Sequence, residues 1–156
     1  MTFYTTIHVV ALVAYAAATL MILVYAIPRA RAQSDPAMRL AAAAGAMKLY
    51  DPFSIAVLGV MVMTGAFALT GIKDALRERF FEQMGVALTW KLFFTFLLII
   101  VAAYLAFGLG NRLVGAATDS LPKDPQWVAS VLRRIQMVAA LALILCAIIV
   151  WIALAM

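Results

Sequence analysis

The chain is 156 residues long, 67% hydrophobic and only 12% charged, with a mean hydropathy of +1.07 and a formal net charge of +5. An ordinary soluble domain is about 45–50% apolar and about 25% charged, and a soluble fold this small cannot hide so much apolar surface. A secreted globular domain, a nucleic-acid-binding module and a disordered chain are therefore excluded, and an integral membrane protein remains.

A membrane-spanning helix needs about 20 mostly apolar residues, and four runs qualify. The first extends from Phe3 to Ile27 without a charged side chain and ends at Pro28-Arg29. It starts too close to Met1 for a basic leader region, so it reads as a retained helix rather than a signal peptide. The second runs from Phe53 to Ile72, opened by Asp51-Pro52, an acceptor at the N-cap followed by proline at the first helical position. The third, Val86 to Gly110, is interrupted by one charge, Lys91. The fourth, Ile135 to Met156, carries no charge, and the same capping logic starts its helix at Asp124-Pro125. The predicted fold is an all-α integral membrane protein, a four-transmembrane-helix bundle with short interfacial helices. It forms a single membrane domain over 1–156, with helices near 3–27, 53–72, 86–110 and 125–156.

The connections supply the interfacial helices and the orientation. Ala37 to Ala46 reads as a short helix at the membrane surface. Between Lys73 and Met84, Leu76, Phe80 and Met84 repeat every four residues, predicting a brief amphipathic interfacial helix. Asp119-Ser120-Leu121-Pro122 carries turn chemistry. The first and third connections hold eight basic residues (Arg29, Arg31, Arg39, Lys48, Arg112, Lys123, Arg133 and Arg134), and the second holds three (Lys73, Arg77 and Arg79). The basic excess predicts that the first and third connections are cytoplasmic and that both termini lie on the other side.

Few residues in the spans can carry chemistry. His8, the only histidine, sits about one turn into the first helix, and Lys91 about one turn into the third. Because these helices run parallel, the two share one side of the membrane. His8 reads either as a hydrogen-bonded helix-end residue or as a metal or heme ligand. Lys91 reads either as an interfacial anchor beside Trp90 or as a cation that holds an anionic group. Tyr4, His8 and Tyr15 fall on one helical stripe, suited to packing or to a flat apolar ligand. Thr95 is one turn from Lys91, and Thr64, Thr70 and Trp151 are expected to approach the same side. The nine methionines form no pair at metal-binding spacing inside a span and read as apolar filler. Cys146 reads as a small buried residue, and a single cysteine excludes an intrachain disulfide. No Asp or Glu is expected inside a span, which argues against a proton-driven pump or secondary transporter.

Together these features resemble the four-helix membrane module of the copper-resistance D (CopD-like) superfamily, which includes the HemJ-type protoporphyrinogen oxidases. The resemblance spans nearly the whole chain. It rests on His8, Tyr15 and Pro28-Arg29 in the first helix, Thr64-Gly65 in the second, Lys91-Leu92 and Asn111 in the third, and Arg133-Arg134 before the fourth. Tyr15 stands where that pattern usually has tryptophan. The resemblance implies a bacterial inner-membrane protein with a redox role, and in such a membrane the basic excess makes both termini periplasmic. The implied cofactor is heme b, with copper as the alternative and no cofactor as a third outcome. His8 would be the metal ligand, with Lys91 and Tyr15 as further cofactor-binding residues, and porphyrin-ring oxidation is the implied chemistry. The competing reading is a non-catalytic accessory subunit of a larger respiratory or transport complex. The expected partners are the lipid bilayer and a homo-oligomer or larger membrane complex, not nucleic acid.

Overall fold

The computed structural model describes residues 3–119 and 124–154, all in helices and short turns. Part of the predicted turn, Ser120 to Pro122, lies outside the described residues, as do Lys123 and the last two residues of the fourth predicted helix. Four helices are long and apolar enough to cross a membrane. The first is Phe3–Arg31, with a π-helical stretch at Ile22–Ala26. The second is Pro36–Leu76. The third spans 80–118 and contains a π-helical stretch at Tyr104–Gly110. The fourth is Pro125–Leu154.

The second helix departs most from expectation. It runs unbroken for 41 residues, about 61 Å at 1.5 Å per residue, roughly twice the hydrocarbon thickness of a bilayer. The Ala37–Ala46 stretch forms its first turns, not a separate surface helix. Asp35 is its N-cap, accepting the Ala37 N–H at 3.0 Å, with Pro36 at the first helical position. Asp51 and Pro52 are interior residues of this helix rather than its start. The sequence offers Asp-Pro three times, at 35–36, 51–52 and 124–125. The first and third open helices, the latter with Asp124 accepting the Gln126 N–H at 3.0 Å. The middle one is overridden because the preceding turns are good helix formers that bury Leu40, Ala43, Ala44 and Met47 against neighbouring helices.

The expected interfacial helix over 73–84 is likewise absent as a unit. Lys73 to Leu76 end the second helix, Arg77–Arg79 form one 3-10 turn, and Phe80 starts the third helix. Arg77 takes φ 47°, a positive value uncommon for a residue with a side chain, and the chain reverses there in few residues. Phe80 is buried, 4% exposed, whereas the third residue of the predicted apolar repeat, Met84, is only partly covered.

The first helix packs chiefly on the second, and the third helix packs on both the second and the fourth. Two apolar cores stack along the bundle. One lies among the uncharged spans and includes Ala11, Tyr15, Leu58, Met61, Leu98, Ala142 and Cys146. The other lies toward the basic end, where Ile27, Ala43, Met47, Leu109, Leu113, Leu132 and Ile135 meet. Alanines at both helix contacts let the backbones approach closely. The bundle therefore continues as a packed body past the hydrocarbon region at its basic end.

Candidate functional site

His8 and Lys91 both lie toward the end of the bundle that carries the chain termini, and both are half-buried. His8 on the first helix turns toward the second helix. Its Nδ1 is 2.8 Å from the Met61 carbonyl oxygen, and a carbonyl can only accept, so Nδ1 carries the proton and donates it. Nε2 is left as the lone-pair nitrogen, free to accept a proton or a hydrogen bond or to ligate a metal. Thr64 closes the Nδ1 side. Its Oγ1 lies 3.4 Å from Nδ1 and itself donates to the Val60 carbonyl at 2.7 Å.

Gly65 is what admits the ring. A Cβ there would lie 3.0 Å from Cε1 and 3.2 Å from Nδ1 of His8, tighter than ordinary van der Waals contact. Thr64-Gly65 thus acts as a unit in which the threonine supplies an oxygen and the glycine supplies space. One turn farther out, Tyr4 stacks on Phe67 with ring centroids 5.2 Å apart, tying the same two helices together beside His8.

Lys91 has no ion-pair partner among the described residues. The other residues expected nearby divide. Thr64 joins the site. Thr95 returns its hydroxyl to the Lys91 carbonyl at 2.8 Å, Thr70 bonds the Ala66 carbonyl from an exposed position, and Trp151 is 72% exposed. Neither Thr70 nor Trp151 reaches the bundle interior.

Tyr15 lies two helical turns deeper and is fully buried. It belongs to a second polar group. Thr19 donates to the Tyr15 carbonyl at 2.8 Å and shares a 2.9 Å hydroxyl contact with Tyr50 of the second helix. The Tyr15 hydroxyl itself has no hydrogen-bond partner. Tyr15 thus faces Thr19 and Tyr50, a separate layer from the His8 ring.

One residue was missed by sequence reasoning. Asp51, assigned to a helix start, is a half-buried carboxyl inside the second helix. It lies against Gly110 of the third helix so closely that a Cβ at Gly110 would run into the carboxylate. Its Oδ1 is buried and unpartnered. The available signal was the uninterrupted run of helix-forming residues before it. Near the same end, a cavity of about 590 Å³ is lined by Asn111, Arg112, Asp119, Asp124 and Trp127, among others, and holds none of the expected site residues.

Among the described residues, no group of three or more His, Cys, Asp or Glu converges. Cys146 is buried, as expected. No protein-family model, curated protein or solved structure matches this chain.

Proposed function

We propose that this chain is a heme b-binding redox protein of the bacterial inner membrane, built on a module like that of the copper-resistance D and HemJ-type proteins. The single observation that carries the reading is the 2.8 Å bond from His8 Nδ1 to the Met61 carbonyl. Ligating histidines are typically held by such a hydrogen bond on the second ring nitrogen, which sets the tautomer and the ring orientation.

The donor set favours heme over a bare metal ion. A structural zinc site needs about four protein ligands, and no group of three His, Cys, Asp or Glu is present among the described residues. A heme brings four nitrogens of its own and asks the protein for one or two axial ligands, a demand that a lone imidazole meets. When bound, heme supplies one-electron redox chemistry. His8 would hold the iron through Nε2, Met61 and Thr64 would fix the ring, and Gly65 would leave it room. Lys91, half-buried and without an ion pair, would neutralise a propionate. In the HemJ-like version of this role the electrons come from a porphyrinogen ring. The basic excess supports periplasmic termini, which would put the His8 end on the periplasmic side.

The test is the absorption spectrum of the full chain purified from heme-replete cells. A Soret band that disappears in His8→Ala is the expected result. Protein that purifies without heme, or a band retained in full by His8→Ala, overturns the reading, the former in favour of an accessory subunit of a larger membrane complex.

A further inference from the structure

Asp51 is a half-buried carboxyl with one oxygen cut off from water. It is inside a continuous helix, one residue before Pro52, and its side chain is wedged against the backbone of the third helix at Gly110. Oδ1 is buried with no hydrogen-bond partner, and Asp51 makes no ion pair among the described residues. An ionised carboxylate there would keep one oxygen, Oδ1, out of water with no hydrogen bond in exchange. The neutral acid carries a much smaller penalty.

The basic side chains on the elements around this seam do not relieve it. Lys48 on the second helix, Arg112 on the third, Arg133 and Arg134 on the fourth, and Arg29 and Arg31 on the first are all exposed. The neighbouring titratable hydroxyl, Tyr50, is directed to Thr19 and the first helix. Asp119 and Asp124 line the cavity that begins at Asn111, the residue after Gly110.

The backbone on both sides of the carboxyl carries an irregularity. Pro52 has no N–H for the ladder of the second helix, and a proline inside a helix kinks it. Opposite, Tyr104–Gly110 is π-helical, an irregularity that recurs at functional sites and marks points where a helix bends. Gly110 ends that stretch, and no side chain there keeps the two helices apart.

We propose that Asp51 is a proton-binding site at the basic end of the bundle: it carries a proton while packed against Gly110, and releases it when the π-helical stretch of the third helix parts from the second. The ligand is the proton itself. The Oδ–H bond breaks, the proton passes to water from the Asn111–Trp127 cavity, and the new carboxylate is solvated only in the parted state. Raising the pH therefore favours parting, and lowering it favours the packed seam. The inference stands independently of heme binding at His8.

The experiment uses the full chain in lipid nanodiscs. Infrared difference spectra between wild type and Asp51→Asn should show a protonated-carboxyl C=O band at neutral pH that is missing in the variant. Hydrogen exchange of amides 104–118, corrected for its intrinsic pH dependence, should quicken severalfold in wild type as the band titrates away, and stay flat in Asp51→Asn. Gly110→Ala, which evicts the carboxylate from its cradle, should weaken the band at neutral pH. An ionised Asp51 at neutral pH, bare or holding a monovalent cation, overturns the proposal. So does exchange that ignores the titration.

Discussion

The His8 ring occupies the volume that any side chain at residue 65 would need: a Cβ on Gly65 would lie 3.0 Å from the His8 Cε1. The glycine and the histidine are 57 positions apart in sequence, and each makes sense only beside the other. Gly65→Val should therefore displace the imidazole from the Met61 carbonyl and destabilise the protein by about 1–3 kcal/mol, the usual cost of overpacking. Thermal unfolding in detergent measures the second effect. A valine variant as stable as the parent, with unchanged His8 resonances, would show that the contact is not a constraint.

Lys91→Ala should leave any Soret band in place. It should shift the heme potential or weaken heme retention, because an ammonium pairs with a propionate and not with iron. Redox titration of purified wild type and variant separates this from His8→Ala, in which the band itself goes. Loss of the band in Lys91→Ala would assign the lysine a different part in the site.

The Thr19–Tyr50 contact should respond unequally to its two partners. Tyr50→Phe removes one hydroxyl and leaves Thr19 bonded to the Tyr15 carbonyl, at a cost of about 0.5–1.5 kcal/mol. Thr19→Val strands the Tyr50 hydroxyl in the buried layer, at about 1–3 kcal/mol. Denaturation in mixed micelles gives the order of the two. Equal losses would mean that water reaches the layer.

A reporter active only in the cytoplasm should be silent when fused to the C-terminus and active in the first connection, near residue 33. The motivation is the eight-to-three distribution of basic residues between the two ends. A C-terminal fusion with full cytoplasmic activity would invert the topology, although His8 and Lys91 would still share one end.

The local signals of this chain were readable one by one, but their use was not. Asp124-Pro125 opens a helix as its chemistry dictates. Asp51-Pro52 carries the same signature and is overrun. The difference lies in what precedes each pair. The turns before Asp51 bury Ala43, Ala44 and Met47 in a core shared with the other three helices, a gain that outweighs the cost of a proline inside the helix. The same oversight hid Asp51 as an interior carboxyl. At the opposite end, Thr64-Gly65 and His8 were each legible as residues of interest. The hydrogen bond and the fitted space that join them depend on the register between two helices, which no local pattern encodes.

Membrane residence, the four spans and the placement of His8 and Lys91 toward one end were settled by the sequence alone. Apolar content adds up residue by residue, and span parity follows from counting. The tertiary structure decided which Asp-Pro pair starts the second helix, that Tyr15 belongs with Thr19 and Tyr50, and that Asp51 meets Gly110. Those outcomes depend on which helical faces bury against one another, and burial is a property of the assembled bundle rather than of any segment in it.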